Sequence, residues 1–211
     1  MKRYFSLISV FAILVAAQFS SAQLVPGPPS PKPPPYNPPA YHGSCLYEIC
    51  EGDTVINVLR DYRKAVVVAI ENKGTFILRF LDTGGIGGNW GRADLAVMRG
   101  CQNRVCIGDR LFNTKRDYRM TQVVGLASNG TFVLQFLDNN GVGGNWAISD
   151  LAFPYGCGRQ FCVGNLAFNI KRNYRQVQIV GIEYNGNYVL RFLDTNGIGG
   201  NWNDADLVRV N

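Results

Sequence analysis

Three stretches of the chain share one alternation. In the first, Phe76, Leu78 and Phe80 alternate with Ile77, Arg79 and Leu81, giving a wholly apolar face and a mixed one, the pattern of a strand with one side on a core. In the third, an apolar run from Val177 to Ile182 is followed by Asn185-Gly186 and then by Tyr188-Val189-Leu190-Arg191-Phe192-Leu193. This order predicts a β-hairpin with a type I′ turn, because both turn residues tolerate positive φ. Lys73-Gly74 and Asn129-Gly130 hold the same place in the other two stretches. An earlier strand is predicted to begin near Gly52-Asp53, Gly108-Asp109 and Gly164-Asn165, and a last short one near Asp94-Leu95, Asp150-Leu151 and Asp206-Leu207. No helical period of useful length follows the N-terminal region, so the predicted fold class is all-β.

The three stretches form a strict internal repeat. The period is 56 residues, the step from Cys45 to Cys101 and from Cys101 to Cys157, and Cys50, Cys106 and Cys162 keep it, as do Trp90, Trp146 and Trp202, the chain's 3 tryptophans. The copies are expected at 45–100, 101–156 and 157–211, without insertion or deletion.

Four or five short strands in such a unit is the size of a small barrel. The order Gly-Asp, polar turn, Val-rich strand, Asn-Gly, the strand TFVLQFLD or NYVLRFLD, and a closing Asp-Leu resembles bacterial SH3-like and Tudor-like barrels. The resemblance implies three tandem SH3-like β-barrels. The rival arrangement is a single β-trefoil, with three copies around one shared core; separate cysteine pairs suit separate units better.

Upstream the composition changes. Residues 1–22 follow the plan of a secretory signal peptide, with Lys2 and Arg3, an apolar run from Tyr4 to Ala17, and small residues at Ser20-Ser21-Ala22. An uncleaved anchor is the competing reading; cleavage would start the mature chain at Gln23 and leave no stable membrane span. Residues 23–44 form a Pro-rich linker that holds 9 of the chain's 10 prolines, between Pro26 and Pro39. It cannot build a core and is expected as an extended polyproline II arm of roughly 50 Å, either a passive spacer or a docking peptide. Export, whether periplasmic, cell-surface or secreted, favours disulfides over thiolates or zinc. Repetition favours one local bridge per copy, Cys45–Cys50, Cys101–Cys106 and Cys157–Cys162, among fifteen possible connectivities.

Two repeated boxes are candidates for binding. Arg60-Asp61-Tyr62-Arg63 recurs as Arg116-Asp117-Tyr118-Arg119 and Arg172-Asn173-Tyr174-Arg175. Two cations around an aromatic ring could hold an anionic chain, and a strand-joining turn with local Arg-Asp pairing has the same sequence. The second box, DTGGIGGNW from Asp82 to Trp90, returns as DNNGVGGNW and DTNGIGGNW. So much glycine calls for unusual backbone angles or close approach by another group. Either a loop folds over the barrel end while Trp plugs it, or Trp90, Trp146 and Trp202 line a shallow groove in which a flat ring stacks on a sugar or peptide.

Other chemistries find little support. The formal net charge of +6 is spread thinly, which argues against nucleic acid. The glycines end in no Gly-Lys-Ser/Thr, and no EF-hand spacing is present, so neither nucleotide nor metal is expected and no cofactor is called for. The single histidine, His42, lies in the linker, and no nucleophile with a base recurs, so an enzyme is not expected. The expectation is an exported non-catalytic repeat protein that engages a cell-wall or surface polysaccharide, such as peptidoglycan, by avidity, or an envelope protein. Its candidate ligand-binding residues are Trp90, Trp146, Trp202, Tyr62, Tyr118, Tyr174, Arg63, Arg119 and Arg175. A structural or protein-interaction module with internal Trp boxes, or a secreted inhibitor, is the alternative.

Overall fold

The computed structural model describes residues 43–210; the expected signal peptide and nearly all of the Pro-rich linker lie outside the described residues. The first copy runs β1 (Cys45–Leu46), β2 (Ile49–Cys50), β3 (Thr54–Asn57), β4 (Arg63–Ile70), β5 (Phe76–Phe80), β6 (Ile86–Trp90), a 3-10 turn (Arg92–Asp94) and β7 (Leu95–Val97). The second repeats it as β8 (Cys101–Gln102), β9 (Val105–Cys106), β10 (Arg110–Asn113), β11 (Arg119–Ala127), β12 (Phe132–Phe136), β13 (Val142–Trp146) and β14 (Leu151–Phe153). The third has β15 (Leu166–Asn169), β16 (Arg175–Glu183), β17 (Tyr188–Phe192), β18 (Ile198–Trp202) and β19 (Leu207–Arg209), its cysteines joined by an isolated bridge. The protein is all-β, as the alternation predicts.

Within a copy the strands form an antiparallel meander, and the last strand returns to pair with the first, giving the order β7-β3-β4-β5-β6 in copy one. The ladders do not close into barrels. They run on between copies: β7 pairs with β11 through Leu126↔Val97 and Ala127↔Ala96, and β14 pairs with β16 through Ile182↔Phe153 and Glu183↔Ala152. Each copy keeps its own interior, built from the apolar faces of its strands: Val55, Val67, Phe76 and Leu78 in the first, Leu111, Val123, Phe132 and Leu134 in the second, Ala167, Val177, Ile179 and Leu190 in the third. Three clusters are not the single interior of a β-trefoil.

All three local disulfides form, Cys45–Cys50, Cys101–Cys106 and Cys157–Cys162. They matter through what they carry. The residue before each second cysteine, Ile49, Val105 or Phe161, is buried in its copy's core. Each bridge therefore pins an apolar plug whose burial is worth about 1.5–3 kcal/mol.

Two turn assignments change. The Lys73-Gly74, Asn129-Gly130 and Asn185-Gly186 turns are not type I′, because only the glycines have positive φ, at 80°, 85° and 87°. Glu71 accepts from the Gly74 N–H at 2.9 Å and donates its own N–H to Thr75 at 2.8 Å, the bonding of a longer loop closed by a left-handed glycine. The second half of the Gly-rich box, read as a loop, is instead a strand (Ile86–Trp90) that pairs with the central hairpin (Phe76↔Trp90, Leu78↔Gly87) across a bulge. The bulge places Asn89, Asn145 and Asn201 at φ of 62°, 61° and 64°, a region that asparagine tolerates better than most side chains.

Candidate functional site

The Arg-Asp-Tyr-Arg box is itself a two-residue left-handed turn. Asp61 and Tyr62 have φ of 49° and 56°, Asp117 and Tyr118 52° and 54°, Asn173 and Tyr174 55° and 55°. The Arg63 N–H donates to the Arg60 carbonyl at 3.0 Å, and Arg119 does the same to Arg116. A tyrosine in this region costs about 1–3 kcal/mol, so surrounding contacts must hold it there.

Both arginines of the box turn back onto their own copy. Arg63 donates Nε and Nη2 to Asp82 at 2.7 and 2.5 Å, and its guanidinium lies 4.5 Å from the Phe80 ring centroid. Arg175 repeats this with Asp194 and Phe192, and Arg119 with Asp138 and Phe136. The arginine hydrogen bonds hold the Asp82, Asp138 and Asp194 carboxyls below the usual carboxylate range. Arg60, Arg116 and Arg172 lie over Trp90, Trp146 and Trp202 at 5.6, 5.8 and 5.7 Å.

The tryptophans face inward. Each packs edge-on against the last phenylalanine of the neighbouring strand (Trp90 on Phe80 at 6.2 Å and 87°), and each joins its copy's core. In all three the indole Nε1 is buried, with no hydrogen-bond partner among the described residues. Asp94 accepts from the Gly91 N–H at 2.7 Å and so closes the turn after the tryptophan.

The tyrosines leave their own copy. Tyr62 packs against Ile56, Ala96, Ala127 and Val133, Tyr118 against Phe112, Ala152, Val180 and Val189, two buried clusters that join adjacent copies. The rings lie on the Gly-rich strand of the next copy: a Cβ added at Gly144 or Gly200 would stand 2.3 Å from Cε1 of Tyr62 or Tyr118. Glycine is required there by close approach. The Tyr118 hydroxyl donates to Glu183 Oε1 at 3.3 Å, and the same oxygen accepts from the Asn201 N–H at 2.7 Å. Burial first, then the Glu183 charge, pushes the Tyr118 phenol up to about 12. Tyr174 meets no such strand among the described residues and is 64% exposed. The nine candidate ligand-binding residues are thus divided: arginine and tryptophan meet within each copy, and tyrosine serves the junctions.

A different set of residues lines a cleft of about 750 Å3 between the second and third copies. Arg104 comes from the second copy's cysteine hairpin, Tyr155 from the segment after β14, Arg159 from the third cysteine loop, Tyr184 and Asn187 from the β16–β17 turn, and Asp204 from a 3-10 turn (Asp204–Asp206) before β19. Tyr155 and Tyr184 are 53% and 62% exposed. Tyr155 is braced edge-on by Phe153 at 5.7 Å. Burial, then the Asp109 charge, pushes its phenol up. Asp204 accepts from the Tyr188 hydroxyl at 2.6 Å, which fixes the carboxylate in the wall. The first junction places Arg99 and Ser128 at the positions of Tyr155 and Tyr184, and Arg99 is drawn to Asp53 and the Glu48 carbonyl, both at 2.5 Å.

Reading by repetition passes over Tyr155 and Tyr184 because neither recurs; the available signal was an aromatic residue where the other copies have none. It also passes over Glu183, and over Asn57, Asn113 and Asn169, which are fully buried at the ends of the first strands. No protein-family profile matches this chain, and no curated protein matches it significantly. Among the described residues the fold is all-β and pinned by disulfides, with two buried clusters between neighbouring units and an open cleft beside one of them.

Proposed function

We propose that the chain is an exported, non-catalytic binding protein made of three SH3-like units, and that it takes a cell-envelope polysaccharide in the cleft between the second and third. The SH3-like reading is supported by the strand order β7-β3-β4-β5-β6, with a 3-10 turn before the closing strand. Export is supported by the three disulfides; among the described residues, no helix is long and apolar enough to cross a membrane.

The observation that carries the sugar reading is the pair of exposed tyrosines, Tyr155 and Tyr184, in one cleft with Arg104, Arg159 and Asn187. Flat rings stack on the C–H faces of a pyranose, while amide and guanidinium groups bond its hydroxyls or carboxylates. The cleft lies at a junction and is lined by residues of both units. Co-sedimentation with purified peptidoglycan sacculi, and in parallel with chitin, tests this. Retention on either, weakened tenfold or more by Tyr184→Ala or Tyr155→Ala and unchanged by Trp90→Phe, is the expected result. Equal retention of the Tyr184→Ala variant, or no retention of the parent protein, would overturn it.

The inward tryptophans favour a second reading, a structural or protein-interaction module. Retention on neither sacculi nor chitin would favour it over the sugar reading.

A further inference from the structure

We propose that the protein associates weakly with a second copy of itself, head to tail, the free face of the third unit docking on the free face of the first. The inference rests on the two internal junctions, which are one interface made twice. One side presents Ile56, Ala96 and Tyr62, or Phe112, Ala152 and Tyr118; the other receives them with the bulge valine, the next-strand valine and the glycine of the Gly-rich strand, namely Val124, Val133 and Gly144, or Val180, Val189 and Gly200. Such a heterologous interface carries different surfaces on its two sides, so a series of copies ends with one unpartnered surface of each kind.

Both end surfaces exist here. On the third unit the projecting side is Phe168, Ile170, Tyr174 and Val208, of which the last three are 36%, 64% and 45% exposed. On the first unit the receiving side is Val68, Ile77 and Gly88. Val68 is 37% exposed, against 9% for its counterpart Val180. Where a Cβ on Gly144 or Gly200 would strike a tyrosine ring at 2.3 Å, one on Gly88 meets Ile77 Cγ1 at 3.5 Å, so among the described residues the slot for a ring is open. The polar partner is also in place. Glu183, which receives Tyr118, is held by the Asn201 N–H; its counterpart Glu71 accepts from the Asn89 N–H at 3.0 Å and from the Thr75 hydroxyl at 2.5 Å. Tyr174 of one chain would meet Glu71 of the next as Tyr118 meets Glu183.

The strand edges match as well. Among the described residues β19 pairs only with β15, and β4 only with β3 and β5. Two positions oppose tight closure. Ala69 stands where the internal junctions have Gly125 and Gly181, and an added Cβ at Gly125 would lie 3.1 Å from that of Ala96. Val208 stands where they have Ala96 and Ala152. Both add bulk at one contact, so association between chains is weaker than the junction within one. That difference suits a protein that gathers reversibly along a polymer, although the proposal stands without the sugar reading.

Sedimentation velocity of the full chain, expressed with its leader in an exporting host and studied from about 10 to 500 μM, a range in which weak interfaces report, tests the proposal. The weight-average sedimentation coefficient should rise with concentration. Val208→Asp and Tyr174→Asp, both at exposed positions and so expected to leave Tm unchanged, should hold it at the monomer value. Ala69→Gly with Val208→Ala should lower the midpoint concentration at least tenfold. A parent protein that stays a single species over the whole range overturns the proposal, as does association indifferent to Val208→Asp or to the Ala69→Gly, Val208→Ala pair.

Discussion

The two junctions are built on one backbone and filled differently. In the first, the Tyr62 ring enters an apolar surface of Ala127 and Val133, and Arg99 is held in its own unit by Asp53. In the second, glutamate replaces Ala127, the tyrosine hydroxyl reaches it, and Tyr155 and Tyr184 stand open beside it. The tyrosine plug, the glycine beneath it and the paired strand edges are common to both and serve to join the units. Tyr155 and Tyr184, which only the second junction leaves exposed, are excess to joining, which is why the cleft and not the repeated boxes carries the functional reading. Repetition marks construction, and departure from it marks use.

The largest expected effect tests whether the junctions are core. Phe112 is 4% exposed between the second and third units, and Phe112→Ala is expected to cost about 3–5 kcal/mol by chemical denaturation, as for an interior phenylalanine. Phe168, its counterpart on the free face, is only half-buried, and Phe168→Ala should cost less than half as much. Equal costs would mean that the second junction is no better packed than a surface.

Next is the glycine under each ring. Gly144→Ala and Gly200→Ala force a tyrosine away and are expected to cost about 1–3 kcal/mol each, while Gly88→Ala, with no ring above it, should be close to neutral. A third comparison exchanges what distinguishes the junctions. Glu183→Ala writes the first junction's residue into the second and should cost about 1–2 kcal/mol, the loss of two hydrogen bonds to a charged group. If it is neutral, the glutamate does nothing for joining and belongs to the cleft.

The sequence makes the strands legible because each strand's alternation answers to one local demand, a buried face on its own unit, and that demand is met at Phe76, Leu78 and Phe80 without reference to anything distant. The C-x4-C spacing is legible for the same reason, being a contact between near neighbours. Tyr62 and Tyr118 are not legible in this way, because their partners, Gly144 and Gly200, lie in the following copy, and a repeated Arg-Asp-Tyr-Arg reads alike whether its ring faces a ligand or a neighbour. The Gly-rich box misleads through composition: glycine suggests a loop, whereas its second half is a strand, kept bare at Gly144 and Gly200 where a tyrosine ring lies on it. Tyr155 and Tyr184 need the fold before they come together at all.

The smallest effect is also the most specific, since it isolates one hydroxyl. In the folded chain the Tyr118 phenol lies at about 12 against an ordinary 10.0, so folding favours its neutral form. The folded state then binds the proton more tightly than the unfolded chain does, and the stability that follows is fully present below pH 10, declining as pH rises from about 10 to about 12. The Tyr188 phenol is also pushed up, by burial and by its bond to Asp204, so the informative quantity is a difference. The stability of the parent protein minus that of Tyr118→Phe should be constant to about pH 10 and shrink above it, and Glu183→Ala should make that decline smaller and end it at lower pH. A difference that stays flat to pH 12 would show that the Tyr118 hydroxyl is solvated like an ordinary surface phenol, and the second junction would then differ from the first in its cleft alone.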